Sequence, residues 1–284
     1  MLIIKNESRI LINIKLNKFR NKEVIEIEPT FYEFMELFEK NITIEYIASK
    51  LVCWKRGEEG KEDVLKKMLR EDYDIIGIDD SGRRCQFLKK NGEIKDIDLD
   101  NIISESTPLT YITELFWENT RRKLFVLSRE SIDGIVTIAD LQKGPFCLFT
   151  FGLITNLEIA CLKFIEKVCS EDWEIKLSNK KLQAVNDLFE ELKEKDEEIN
   201  KLQCTSLSDK KTILFKTNAF SEVYEKFYTS KTKARNLFTR IIRIRNNLAH
   251  SRKIKHNFKN WEDILETIKY IPLLTSGIRE IILK

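Results

Sequence analysis

The sequence predicts an α+β region followed by an all-α region. Two short stretches near the start, Leu11–Leu16 and Val24–Ile27, alternate apolar and polar side chains as half-buried strands do. Further on, the order strand, helix, strand, turn, strand occurs twice, and from Gly144 onward apolar residues recur at the three- and four-residue spacing of helices. We therefore expect an N-terminal segment of strands and one helix (Phe31 to about Lys40), a repeated α+β unit and a helical domain, at 1–41, 42–143 and 144–284.

The composition bounds the class of protein. Of 284 residues, 42% are hydrophobic and 33% charged, a balance typical of a globular chain with more than one core. Six scattered cysteines and two histidines form no zinc-binding pattern, so we expect no metal. The longest uncharged run, Gly144 to Leu157, has 14 residues, fewer than the roughly 20 that span a bilayer. We expect a buried helix there, no membrane partner and a reduced, cytoplasmic protein.

Positive charge is concentrated near the C-terminus. The formal net charge of the whole chain is +3, but residues 205–284 hold 17 Lys and Arg against 7 Asp and Glu. Such asymmetry favours a polyanionic partner for this part of the chain. The alternative is the ordinary solvated face of basic helices.

The repeated unit of residues 42–143 predicts two similar bodies packed as a pair. Its second copy has a helix after Pro108, an apolar strand Leu124–Leu127 and the closing segment Gly134-Ile-Val-Thr-Ile-Ala-Asp-Leu141. The first copy has the strand and turn Ile75–Gly82 but lacks Thr and Asp at its close. The expected strands are 48–54, 74–78, 85–88, 97–103, 123–128 and 134–137, and the expected helices are 61–69 and 109–118.

This order and these residues resemble CBS domains, which usually occur in tandem. The resemblance implies an adenine nucleotide in the cleft between the copies, with Asp140 on the ribose hydroxyls and Thr137 near the phosphate or sugar. A carboxylate accepts well from both hydroxyls of a ribose. The alternative is that Thr137 ends a strand and Asp140 caps the next helix. Because the first copy departs from the pattern, we expect one nucleotide site at most.

The C-terminal half predicts successive helices. They are expected at 149–169, 181–203, 217–229, 231–252 and 259–282, the last interrupted near Pro272 and Gly277, with a polar loop at 205–211. Glu158 falls in phase with the apolar stripe of the first helix, and a buried carboxylate needs a partner. The apolar seam of the second helix serves either a helical hairpin or a dimer.

A strongly basic helix precedes the first of the two histidines. Residues 231–255 contain nine Lys or Arg and no acid. Asn246 and His250 are one turn apart and share a face, whereas Arg245 lies about 140° from His250 around the axis. One helix alone therefore spreads Arg245 and His250 across the rim of a cleft, while two helices related by a two-fold axis bring both pairs into one groove. The expected buried stripe is Leu237, Ile241, Ile244 and Leu248.

The segment Arg245-Asn-Asn-Leu-Ala-His250 resembles the signature of HEPN helical domains, an arginine and a polar residue followed by a histidine. The resemblance implies a homodimer with a composite site and a metal-independent endoribonuclease. RNA supplies its own nucleophile, the 2′-hydroxyl; His250 moves protons near neutral pH, and Arg245 holds the scissile phosphate. Asn246 orients His250 or bonds a phosphate oxygen, and Glu158 supports Arg245 if it approaches the site. The expected RNA-binding residues are Arg240, Arg243, Arg252 and Lys253.

Taken together, the predicted fold class is an α+β N-terminal tandem CBS-like module followed by an all-α HEPN-like helical bundle. The expected function is endoribonuclease activity without a catalytic cofactor, regulated by an adenine nucleotide, in antiviral or stress defence. The partners are RNA, the nucleotide and a second copy of the chain. The first alternative is a non-catalytic, ligand-responsive regulator that binds RNA or protein; the second makes the N-terminal part structural only. Tyr224, Tyr228 and Phe238 are expected to be core aromatics, with base stacking as the alternative.

Overall fold

Sheets precede helices along the chain. The computed structural model describes residues 41–80, 82–118, 123–170, 172–195, 198–226 and 230–284. The predicted N-terminal strands and the helix from Phe31 lie outside these residues. The strands are β1 Ser49–Lys50, β2 Cys53–Lys55, β3 Ile75–Asp80, β4 Arg83–Lys89, β5 Ile94–Asp96, β6 Ile102–Ser104, β7 Lys123–Ser128 and β8 Ser131–Thr137.

The strands form two four-stranded mixed sheets, ordered β2-β3-β4-β5 and β1-β8-β7-β6. In the first, parallel β2 and β3 are joined by helix α1 (Lys61–Arg70), and β3, β4 and β5 are antiparallel neighbours. In the second, parallel β6 and β7 are joined by helix α2 (Ile112–Glu118), and β8 lies antiparallel to β7. The amphipathic helix α1 buries Val64 and Met68 in a core with Trp54 and Ile76.

These sheets correct the predicted fold class. The expectation was a tandem module in which the first copy starts with a single strand at 48–54. Instead, that stretch is divided: β1 pairs with β8 in one sheet, and β2 pairs with β3 in the other. The first sheet also ends in a third antiparallel strand, β5, where the second has a short 3₁₀ helix, Ile138–Gln142. The architecture is therefore two small mixed sheets within residues 44–137, followed by helices.

The predicted strand 48–54 is split at Leu51 because this side chain lies in a core that both sheets share. Its backbone N–H donates to the carbonyl of Asp133, and its side chain packs with Phe87 of β4 and Phe125 of β7. The rings of Phe87 and Phe125 are 5.2 Å apart between centres. A period-two pattern cannot reveal such a crossing, since it marks apolar positions without saying which sheet they join.

The helices of the C-terminal half are α3 Gly144–Val168, α4 Asn179–Lys193, α5 Leu207–Leu214, α6 Ser221–Tyr224, α7 Lys231–Ala249 and α8 Glu262–Ile282. The predicted polar loop at 205–211 is wrong, because Ser206 and Asp209 form a capping box that starts α5. The predicted interruption at Pro272 is also wrong. Helix α8 continues through this proline while burying Ile271, Leu274 and Ile278, and this packing outweighs the roughly 3 kcal/mol that an internal proline costs.

Helix α3 is the central helix of the bundle. It packs along α8 and against α5 and α7. An 18-residue window of α3 has a mean hydropathy of 1.6, enough by length and composition to cross a membrane, but 56% of that window is buried inside the protein. That burial is typical of the core helix of a soluble protein.

Candidate nucleic-acid interface

Helix α7 is anchored by an aromatic core beneath it. Its side chains of Leu237, Phe238, Ile241 and Ile244 are fully buried. Phe238 meets the rings of Phe215 and Phe220 edge to face, and Tyr224, which is 7% exposed, stacks on Phe215. Phe238 and Tyr224 are therefore core aromatics and are not open to bases; Tyr228 lies outside the described residues. The core fixes which face of α7 is exposed.

The C-terminal end of α7 turns sharply into a basic loop, residues 251–258. His250 is the C-cap residue, and Ser251 follows it in the left-handed conformation at φ 53°. The N–H groups of Ser251 and Arg252 donate to the carbonyls of Leu248 and Asn247, at 3.0 and 2.8 Å. These two bonds form a Schellman motif, which usually has glycine at the left-handed position.

Asn247 holds the basic loop against the helix. It is 3% exposed, and its Nδ2 donates to the carbonyls of Ile254 at 3.3 Å and His256 at 2.6 Å. Sequence reasoning selected the neighbouring Asn246 and missed this residue. A signal was present: Asn247 follows Ile244 by three positions and so continues the buried stripe, where an amide needs buried partners.

The basic loop borders an open depression of about 480 Å³. Among the described residues, Arg252, Lys253 and Lys255 form no ion pair with a carboxylate. Three uncompensated cations around one concavity attract an anion such as a phosphate. The lining residues are Gln142, Arg252, Lys253, Lys255, His256 and Phe258.

Gln142 belongs to the 3₁₀ helix at the end of the second sheet, and it brings that sheet to the rim of the depression. In the described part of the chain, its Oε1 atom is buried and accepts no hydrogen bond. Of the predicted RNA-binding residues, Arg252 and Lys253 thus meet at the depression. Lys255, His256 and Gln142 were missed, and no local pattern marks them, because the tertiary fold brings them together.

The predicted catalytic residues lie on the helix and do not line the depression. Asn246 and His250 are exposed, and Arg245 is half-buried. Within the described ranges, none of these three side chains is held by a hydrogen bond or an ion pair, so each is free to meet a ligand. One copy of the chain does not place Arg245 and His250 side by side, since they lie about 140° apart around the axis and roughly 7.5 Å apart along it.

Two of the predicted RNA-binding arginines have structural partners instead. Arg240 forms ion pairs with Asp263 at 3.4 Å and Glu266 at 2.5 Å on α8. Arg243 donates to the carbonyl of Asn257 at 3.1 Å, and its guanidinium carbon lies 5.4 Å from the ring centre of Phe258. In this arrangement Arg240 fixes α8 to α7, and Arg243 braces the basic loop.

Glu158 does not support Arg245. Its carboxylate pairs with the ammonium of Lys210 at 3.1 Å, and Lys210 also donates to the carbonyl of Thr205 at 2.5 Å. Lys210 is 3% exposed. This pair explains how the apolar stripe of α3 tolerates a carboxylate, since a buried charge needs a partner.

The predicted nucleotide residues Thr137 and Asp140 form the capping box of the 3₁₀ helix Ile138–Gln142. Asp140 Oδ2 accepts from the backbone N–H and the hydroxyl of Thr137, both at 2.7 Å, and Oδ1 accepts from Ser49 at 3.0 Å and Lys143 at 2.8 Å. Burial raises the pKa of Asp140, but the bonds from Lys143 and Thr137 outweigh it and hold the pKa below its usual value. A ribose would have to displace Lys143 or Ser49 to bind this carboxylate.

No protein-family model matches this chain, and no curated protein sequence matches it. The function therefore has to be inferred from the side chains of α7 and the basic loop.

Proposed function

We propose that the helical region is a metal-independent endoribonuclease of the HEPN type, in which His250 moves protons and Arg245 holds the scissile phosphate. The observation that carries the proposal is the exposed end of α7. His250 and Asn246 are solvent-accessible there, and the adjoining loop presents Arg252, Lys253 and Lys255 without carboxylate partners in the described residues. The resemblance of Arg245 to His250 to the HEPN signature supports the same reading.

The chemistry follows from what these side chains can do. An imidazole takes the proton from the 2′-hydroxyl of RNA or gives one to the leaving oxygen. A guanidinium donates two hydrogen bonds to the phosphate and stabilises the charge that develops on it. The products are a 2′,3′-cyclic phosphate end and a free 5′-hydroxyl. The loop cations bind neighbouring phosphates, which makes binding salt-dependent.

The angular separation of Arg245 and His250 supports a composite site made by two copies of the chain. In such a homodimer, Arg245 of one copy and His250 of the other flank one phosphate. The proposal places this dimer in the cytoplasm, where RNA is available.

The test is cleavage of RNA in the presence of EDTA, with product ends identified. His250→Ala and Arg245→Ala are each expected to slow cleavage by about 100-fold or more. Lys233→Ala, which removes another exposed cation of α7, is the matched control and keeps the wild-type rate. If His250→Ala cleaves as fast as the wild type, the site is wrongly assigned.

Mixing the two inactive variants tests the composite site. Half of the dimers formed from Arg245→Ala and His250→Ala chains are mixed, and each mixed dimer has one intact site. About a quarter of the wild-type rate should therefore return. If no activity returns although the chains exchange, each copy uses its own pair and the composite site is excluded.

A non-catalytic RNA-binding regulator is the second candidate. It is favoured by the separation of the cations from the predicted catalytic residues. The depression is lined by Arg252, Lys253 and Lys255, which suit phosphates, whereas neither Arg245 nor His250 borders it. Tight, salt-sensitive binding of RNA that stays intact supports this candidate and excludes the nuclease.

Regulation by an adenine nucleotide is a further part of the proposal. The support is that Asp140 is only two residues from Gln142, which borders the depression together with the basic loop. A nucleotide that displaces Lys143 from Asp140 would therefore change the position of Gln142 beside the basic loop. Thermal melts with ATP, AMP and cyclic oligoadenylates test it, because a bound ligand raises the melting temperature. No shift with any of them removes the nucleotide from the proposal.

A further inference from the structure

A second group of cations lies at the other end of α7. Lys181 at the start of α4, Lys211 on α5 and Arg235 on α7, here named the upstream cation cluster, come together from three helices. Lys211 donates to the hydroxyl of Thr239 at 2.5 Å, and that hydroxyl donates to the carbonyl of Arg235 at 2.8 Å. The tertiary fold therefore builds this cluster, which is not simply one face of a basic helix.

In the part of the chain that the structure describes, the three cations of the cluster have one carboxylate partner among them. Asp209 pairs with Lys181 at 2.7 Å, and its other oxygen accepts from Ser206. Among the described residues, Lys211 and Arg235 have no carboxylate partner. Burial, followed by the charges of Arg235 and Lys181, lowers the pKa of Lys211. Like charges held this close repel one another, and a bound anion relieves the repulsion.

The side chains of the cluster suit a phosphate of a nucleic-acid backbone. Arg235 is exposed, and its guanidinium carbon lies 5.5 Å from the ring centre of Phe215. A guanidinium can donate two hydrogen bonds to one phosphate. Lys211 adds a point charge beside it. Phe215 is 3% exposed and stacks on Tyr224 in the core, so its ring is not open to stack on a base. Recognition here is of phosphates and is independent of base sequence.

The cluster and His250 share one face of α7. At about 100° per residue, Arg235, Thr239, Asn246 and His250 fall within about 60° of one another. All four are exposed. Fifteen residues separate Arg235 from His250, which is about 22 Å along the helix. A stacked strand that advances about 3.4 Å per nucleotide covers this distance in roughly six to seven nucleotides.

We infer that the upstream cation cluster is an RNA-backbone anchor that holds the strand about six to seven nucleotides from the phosphate at His250. The inference rests on the proposed function for the position of the cleaved phosphate. It adds a substrate class: single-stranded RNA long enough to reach both ends of α7, with affinity set by length and salt and not by sequence.

The test measures RNA binding in the His250→Ala background with EDTA, so that RNA stays intact. The double variant Lys211→Gln/Arg235→Gln is compared with a matched control, Lys61→Gln/Lys233→Gln, which removes the same charge elsewhere. For an oligonucleotide of about 12 nucleotides, the cluster variant should lower the slope of log affinity against log salt by about 0.7 per cation removed. An oligonucleotide of about 4 nucleotides is too short to join the cluster to His250, so lengthening the RNA from about 4 to about 12 nucleotides should raise the affinity of the control more than that of the cluster variant.

Three results overturn the inference: an unchanged slope for the long RNA in the folded cluster variant, an equal fall in the control, or displacement of RNA by a polyglutamate peptide as effectively as by RNA. The last result would assign the cluster to an acidic protein partner. The two proposals fail separately. Cleavage that depends on His250 with no effect of the cluster variant removes only the anchor, while cluster-dependent binding without any cleavage removes only the nuclease.

Discussion

Replacing Asn247 by alanine should destabilise the protein and loosen the basic loop. The side chain is almost fully buried and donates to two loop carbonyls, those of Ile254 and His256. Each hydrogen bond contributes about 0.5–1.5 kcal/mol net, so we expect a loss of about 2 kcal/mol. For a chain of this size, that lowers the melting temperature by about 3 to 4 °C. RNA affinity should fall by about 2- to 10-fold, because binding must then order the loop.

The assay is thermal melting of Asn247→Ala and of the matched control Asn246→Ala, together with RNA binding by Asn247→Ala and by the wild type. The control removes the same side chain one residue earlier, where it is exposed and makes no hydrogen bond with a described residue, so its stability should change by less than about 0.5 kcal/mol. Asn247→Asp should be at least as damaging as alanine, since a carboxylate would face two carbonyl oxygens without a donor. If Asn247→Ala and Asn246→Ala melt at the same temperature, the two hydrogen bonds of Asn247 do not stabilise the protein.

Two further predictions follow from local geometry. Ser251→Gly should raise stability by about 0.5–1 kcal/mol, because glycine adopts the left-handed conformation at this position without strain; a lower melting temperature than the wild type would contradict this. The lowered pKa of Asp140 means that its folded form binds its proton less readily than the unfolded chain. Its contribution to stability is therefore present above the unfolded pKa of about 3.9 and is lost as the pH falls through the lower folded pKa. Denaturation across this acid range should show a shallower pH dependence for Asp140→Asn than for the wild type, and equal slopes would refute it.

Individual strands and helices were predictable where a single local sequence pattern determines them. The expected strand at 123–128 coincides with β7, and the expected helix at 61–69 matches α1 to within one residue. Both depend on the spacing of apolar side chains within a few residues. The division of 48–54 at Leu51 depends on a core shared with β4 and β7, and no window of sequence contains that information.

The charges of the candidate site could likewise be predicted only in part. The sequence identifies a basic region, but it does not reveal which cations are already neutralised by partners. Arg240 is paired with two carboxylates that lie 23 and 26 residues away, whereas Arg252 has no carboxylate among the described residues. A count of basic residues treats the two alike. The fold separates them, because it brings two carboxylates of α8 to Arg240.

The angular positions of the α7 side chains restrict how RNA can meet the proposed nuclease. Arg235, Asn246 and His250 lie on one exposed face, whereas Arg245 lies 100° from Asn246 and about 140° from His250, near the edge of the buried stripe. A strand that follows the exposed face from the upstream cation cluster to His250 therefore passes to one side of Arg245 on the same helix. This arrangement favours contact between the phosphate at His250 and Arg245 of a second copy of the chain. The anchor and the recovery of activity in mixed variants are thus linked: a strand anchored on one copy should be cut with the arginine of the other.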